Sequence, residues 1–318
     1  MNKAFVLTFY RKGIIWLSTL FLLSSISLAQ EFKKTATSGF SFLEIPVTAR
    51  SASMGESSVA LSDNNSESLF TNPGALGFSS LNHSTSVSFA TWLADIKQYA
   101  TSYSYGSDIG VFGVGLIMLD YGSMPKTVVA SGQKVYEVTG TFDATALSFG
   151  LSYAKKLTDN FSFGLTLKYV EERIEVYKAT NLMFDGGFLY YTGFGTLRIA
   201  GAIQNFGVNA KFINDEFKMP SILRLGLAGE IVGSHESNYQ VTLIAEALHP
   251  NDNTEKLNLG CEVSWIKTIY LRGGYKFFYD EESFSFGFGV KNSSILPFSF
   301  DYSFSDYGRL GNISRVSL

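Results

Sequence analysis

From about Ser84 to the end of the chain, large apolar residues recur at every second position. In "ATALSFGLSYA", Thr145, Leu147, Phe149, Leu151 and Tyr153 alternate with Ala146, Ser148, Gly150, Ser152 and Ala154. In "SFSFGFGVK", Phe284, Phe286, Phe288 and Val290 alternate with Ser285, Gly287, Gly289 and Lys291. A period of two predicts strands with one oily face. The opposite face is small, polar or charged. A soluble sandwich also alternates, but its exposed face would carry many more charges. Small Gly, Ser and Ala suit a curved wall around a lumen.

The pattern predicts about 14 strands, an even number as in bacterial barrels. They fall near residues 84–90, 98–105, 109–119, 142–155, 160–172, 183–192, 195–206, 221–232, 238–248, 256–266, 268–278, 283–291, 296–304 and 312–318. Short connections (106–108, 157–160, 193–194, 267–268) broadly alternate with long ones (120–141, 173–182, 207–220, 249–256). Short periplasmic turns and longer extracellular loops would alternate in this way.

Composition sharpens the choice. Aromatic residues make up 15% of the chain and charged residues only 17%, against about 25% charged in ordinary soluble domains. Beyond the N-terminal leader, the longest apolar stretch, "IGVFGVGLIML" from Ile109, is too short to cross a bilayer as a helix. An oily chain with no helical span is accommodated by a transmembrane antiparallel β-barrel.

The first residues differ in kind. Lys3, Arg11 and Lys12 precede "GIIWLSTLFLLSSISL", and Ser27-Leu28-Ala29 forms a small-residue cleavage pattern. This reads as a cleaved signal peptide over 1–29, the alternative being a membrane anchor. Its removal takes three of the 25 basic residues and none of the 28 acidic ones. The acidic remainder argues against nucleic acid as a partner. Cys261, the single cysteine, excludes an intramolecular disulfide.

Residues 30–81 stand outside the alternation. "TARSASMGESSVALSDN" is rich in Ala and Ser, with Thr48 or Ser51 as helix caps. In "TNPGALG", Asn72 can cap, Pro73 and Gly74 can open a helical turn, and Gly77 can end it. The segment reads as a short hatch containing helical turns, placed before a barrel over 82–318. The alternative is a periplasmic tail with a turn.

"FLEIPVTARSASMGESSVALSDNNSESLFTNPGALG" resembles the N-terminal signature of the PorV/PorQ family of the FadL superfamily, through Ile45-Pro46-Val47, Ala49-Arg50, Met54-Gly55, Val59-Ala60-Leu61, Asp63 and Asn72-Pro73. "TWLADIKQYA", "FDGGFLYY", "IQNFG" and "MPSILRLGLA" continue the resemblance in family order. It implies a fourteen-stranded outer-membrane barrel with an N-terminal hatch. It also implies a role in type IX-like secretion or surface delivery, with outer-membrane lipids and secretion-system proteins or exported cargo as partners. The alternative function is a FadL-like channel for hydrophobic small molecules.

No catalytic set stands out. His83, His235 and His249 are scattered without metal spacing, and there is no nucleophile elbow, phosphate loop or dinucleotide fingerprint. The chain is expected not to be an enzyme and to need no cofactor. The informative charges have lumen parity: Lys168, Arg198, Arg224, Glu230, Glu262, Lys276, Lys291 and Asp301. They are expected to pair internally or to meet the hatch, with Arg50 and Asp63 as contacts from its side. Trp92, Tyr105, Tyr121, Trp265 and Tyr279, near segment ends, read as interfacial girdles. Cys261 shares the oily parity of Leu259 and Val263. On this reading, N-terminal sequencing of the membrane-purified protein gives Gln30 or an immediate neighbour as the first residue; retention of Met1 would remove the signal peptide.

Overall fold

The computed structural model describes residues 37–62, 65–129, 135–233, 237–292 and 298–318. The leader, Asp63 and His235 lie outside them. The strands are β1 (His83–Thr91), β2 (Lys97–Ser107), β3 (Gly110–Val129), β4 (Tyr136–Thr158), β5 (Phe161–Ile174), β6 (Tyr177–Tyr191), β7 (Arg198–Gly207), β8 (Ala210–Phe212), β9 (Asp215–Phe217), β10 (Ile222–Val232), β11 (Tyr239–Pro250), β12 (Lys256–Trp265), β13 (Ile269–Phe277), β14 (Phe284–Asn292), β15 (Phe298–Asp306) and β16 (Asn312–Ser317). All but β8 and β9 form one closed antiparallel barrel, in which β7 pairs with β10 and β1 closes on β16. Closure leaves no sheet edge to carry unpaired backbone groups into lipid.

Parity sets the faces. Phe286 is 48% exposed and its neighbour Ser285 only 4%. The outward belt is Val, Leu, Phe and Tyr; the inward face is Ala, Ser, Gly and paired charges. Cys261 is half-buried between the outward-facing Leu259 and Val263. Such a belt fits a hydrocarbon surround.

The two rims differ. The lower rim receives the chain at His83 and carries the turns after β2 and β4. At the upper rim the expected long connections are shorter than the hydropathy suggested. Pairing between β3 and β4 continues to Val129 opposite Tyr136, and β5 pairs with β6 as far as Ile174 opposite Tyr177. Hydropathy marks the apolar band, whereas the hydrogen-bond ladder continues beyond it. The segment after β7 is also not a free loop. It folds into the β8–β9 hairpin, and the Gly39 N–H donates to the Lys218 carbonyl at 3.0 Å.

Inside the wall lie residues 37–62 and 65–79. They contain 3₁₀ turns at Ser41–Glu44 and Ser66–Phe70 and helical turns at Ala49–Ser53 and Pro73–Leu76. Thr48 caps the helix at Ala49, and the Asn72 side chain accepts from the Gly74 N–H at the start of the Pro73 turn. The path starts beside the upper rim, where the Phe40 ring meets Phe217 at 5.4 Å, and leaves at the lower rim into β1.

The faces give a paired test. Leu165, 49% exposed on the belt, should tolerate Arg poorly, at a cost of about 2–4 kcal/mol near the midplane. Thr166 bonds Ser152 and borders an internal cavity, so Arg there has polar space and should cost less. Denaturant titration in lipid vesicles reads the order; equal costs would mean that the faces are misassigned.

Candidate functional site

The hatch is bolted to the wall by charges whose partners come from far along the chain. Arg50 makes a two-pronged bond to Glu262, Nε at 2.9 Å and Nη2 at 2.8 Å. Glu262 also accepts from Arg272 Nε at 2.6 Å, and Arg272 reaches on to Asp301. Glu246 accepts the backbone N–H groups of Ser58 and Val59 at 2.8 and 2.9 Å and pairs with Arg224. Arg224 Nη2 in turn donates to the Glu56 carbonyl at 2.7 Å. The Glu56 carboxylate pairs with Lys276. Arg198 bonds Glu230 at 2.9 Å and the Ala60 carbonyl at 3.2 Å. Charge-assisted bonds of this kind hold only while every partner is in place.

The Asn72 turn is seated by shape as well. Its amide donates to the Val59 and Phe188 carbonyls at 2.8 and 2.9 Å. The wall beneath is glycine. A Cβ on Gly187 would stand 2.1 Å from Asn72 Oδ1, and one on Gly164 would stand 2.3 Å from the Pro73 carbonyl oxygen. Gly74 meets the wall from the hatch side, where a Cβ would come within 2.5 Å of the Gly187 oxygen. Small inward residues read as lumen lining are here contact surfaces for one turn.

Above the bolted part lies a cavity of about 630 Å³, facing the upper rim. Its apolar lining comes from the hatch (Phe42, Leu43, Ile45, Val47) and from Leu119 and Ile96. About half of the lining residues are polar, including Lys168, Asp185, Asn205 and Glu44 and the charged Arg224 and Asp252. Lys168 and Asp185 pair at 2.8 Å. The wall ladder is irregular beside them: the register of β6 against β7 shifts between Phe184 and Gly186, and Asn205 takes φ 57° while its N–H donates to Asp185 at 2.7 Å. This is a β-bulge at the cavity edge.

Of the residues singled out in the sequence, Arg50, Asn72, Pro73 and Gly74 lie in the hatch. Lys168, Arg198, Arg224, Glu230, Glu262, Lys276 and Asp301 take part in ion pairs of the lumen face. Lys291 departs from the expectation: it has inward parity, but near the lower end of β14 it is exposed and makes no ion pair among the described residues. Asp63 lies outside the described residues. Three aromatics expected at the girdles line the cavity instead: Trp92 and Tyr279 from the connections after β1 and β13, and Tyr121 because it shares the inward parity of Ile117 and Leu119 on β3. Arg272, Glu246, Asp185 and Glu56 were missed. The first three carry lumen parity, but their pairings run between strands or to the hatch, and parity does not reveal partners.

No protein-family model matches the sequence, and no curated protein matches it. Solved structures share the fold. The Ralstonia pickettii toluene transporter TbuX superposes with a TM-score of 0.60 at 13% identity, covering 85% of this chain and 96% of that chain. The CymD monoaromatic hydrocarbon channel gives 0.58 at 12%, covering 85% and 95%. The Pseudomonas putida toluene transporter TodX gives 0.56 at 13%, covering 85% and 96%. These are transport channels rather than enzymes, and at such identity the likeness is one of architecture.

Glu44 gives the cavity a titratable group. It makes no ion pair among the described residues, and burial, then the neighbouring Asp252 carboxylate, push its carboxyl up to about 7 from the ordinary 4.5. Glu282 and Glu56 push the same way, and Lys256 opposes them. A raised carboxyl pKa favours the folded hatch while the group is neutral. That contribution is complete below about pH 4.5 and is lost as pH rises through about 7. Hydrogen exchange of amides 40–47, corrected for intrinsic rate, should therefore quicken from about pH 5 to about pH 8 in the parent and much less in Glu44→Gln. Parallel profiles would discard this assignment.

Proposed function

We propose that this chain is an outer-membrane channel protein of FadL type that takes small hydrophobic molecules into the vestibule above its hatch. One observation carries the reading: a cavity of about 630 Å³ lies between hatch and wall at the upper rim, with an apolar side formed by Phe42, Leu43, Ile45, Val47, Ile96 and Leu119 and with polar and charged side chains elsewhere in its lining. That volume is ordinary for a small-molecule site. The likeness to TbuX, CymD and TodX, whose names describe toluene and monoaromatic transport, supports the same direction. The upper rim faces the cell exterior in this reading, since β-barrels of the outer membrane keep their short turns on the periplasmic side.

A second reading has its own observation. The β3–β4 ribbon rises above the rim with Val128, Val129, Tyr136 and Val138 exposed, Val129 at 93%. Apolar side chains beyond the membrane band suit a protein partner. On this reading the barrel is a secretion or surface-delivery component of PorV/PorQ type that binds exported proteins there.

The experiment separates the two. Purified barrel in liposomes should speed entry of toluene over protein-free liposomes, and enlarging Ile45 and Val47 to Trp should slow it by several-fold. Toluene entry at the protein-free rate, together with exported proteins co-purifying from native membranes and lost on Val129→Asp, would replace the channel with the docking role.

A further inference from the structure

Arg315, on the inward face of β16, is 1% exposed. The other guanidiniums held in the lumen each have a carboxylate: Arg50 and Arg272 share Glu262, Arg198 has Glu230 and Arg224 has Glu246. Arg315 has none among the described residues. Its Nη2 donates to Gln98 Oε1 at 2.8 Å, and its Nε donates to nothing. Arg50 presents the same edge, Nε and Nη2, to both oxygens of Glu262. Arg315 uses half of that edge on a neutral amide.

Two neighbours are idle as well. Ser303 is opposite Arg315 on β15; on the other side Ala90 of β1 separates Arg315 from Gln98 of β2. Ser303 Oγ and Gln98 Nε2 are buried, at 1% and 2% residue exposure, and neither has a partner. The three strands therefore bring three unused donors and one uncompensated positive charge onto one patch of the lumen face. The carboxylate that acts on Arg315 from a distance, Glu56, is already held by Lys276. A buried cation without a counter-charge is costly, and a neutral water would satisfy a donor without offsetting the charge.

We propose that Arg315, Gln98 and Ser303 form a binding site for a small inorganic anion, chloride in saline media. Size follows from burial: residues exposed by 2% or less leave no mouth for a carboxylate with a tail. The site stands where the barrel closes. The β1–β16 ladder covers Ser88–Thr91 against Ser314–Ser317 and ends at the Val87–Leu318 pair, whereas β1 pairs with β2 along His83–Thr91. An anion there ties the first two strands to the last two across the shortest seam, and binding only to the closed barrel raises its stability by mass action.

The test is thermal unfolding of the purified barrel in detergent, in sodium chloride and in sodium gluconate at matched ionic strength. Chloride should raise the midpoint in a saturable way and gluconate should not. Arg315→Met should lose the chloride response. Should that variant not assemble, Ser303→Ala keeps the cation and removes one donor, and should weaken the apparent chloride affinity several-fold. Crystals grown in bromide should show anomalous density beside Arg315 Nε. A chloride response that is absent, or unchanged in these variants, overturns the proposal, as does a bromide map with no peak at the cluster.

Discussion

One carboxylate, Glu262, joins the hatch to the wall. It receives Arg50 from the hatch and Arg272 from the neighbouring strand, and Arg272 passes the connection to Asp301 two strands further on. Neither side is complete without the other. Without Arg50, Glu262 keeps one cation; without Glu262, Arg272 keeps Asp301 and Arg50 loses the carboxylate it grips with two N–H groups. Breaking a buried pair by deleting one member costs about 3–5 kcal/mol, because the survivor is left charged in a poor solvent. The same reciprocity recurs at Glu246, which closes the Ser58 and Val59 N–H groups while holding Arg224. The hatch therefore serves as the counter-ion set of the lumen, and the lumen as the cap set of the hatch.

Shape complements charge on the opposite side of the barrel. The Asn72 turn rests on Gly164 and Gly187, where any side chain would displace it. Asn72 spends its amide N–H groups on two carbonyls, one from the hatch and one from the wall, and its oxygen on the Gly74 N–H. A tight turn with Pro73 preset at the first helical position arrives already ordered, so seating it costs little backbone entropy. That explains why a chain makes so sharp a turn just before its first strand: the turn is the key and the glycines are the lock.

The fold was legible in the sequence for a simple reason. Lipid outside and a packed lumen inside impose a period of two, and residues such as Phe284, Ser285, Phe286 and Gly287 record it directly. The same signal placed Glu262, Lys276 and Arg224 on the lumen face. It could not say that Glu262 serves Arg50, or that Arg272 lies between Glu262 and Asp301, because pairing depends on neighbours two or three strands away. It failed at the upper rim for a different reason. Polar residues such as Arg173, Lys178 and Thr180 lie above the apolar band but still pair between β5 and β6, so a loss of hydropathy was read as a loss of strand. Tyr279 and Trp92 were assigned to lipid girdles on position alone, although the segments carrying them turn inward.

These constraints decide where movement is cheap. Below the vestibule, a direct path down the lumen would require the Glu262 and Glu246 clusters to open together and the Asn72 turn to leave its glycine seat. Each step strands buried charges or orphan backbone groups. Beside the vestibule, the β6–β7 ladder is already interrupted opposite Asp185, where Gln204 and Asn205 form the bulge. Gln204 holds the hatch there through the Phe70 and Thr71 carbonyls, each at 3.0 Å, and Lys168 with Asp185 marks the polar edge of the same spot. On the channel reading, a hydrophobic molecule in the cavity meets less resistance toward this break in the wall than toward the floor. The lipid beyond the wall is also the better solvent for such a molecule, so the lateral direction is favoured by barrier and by destination alike.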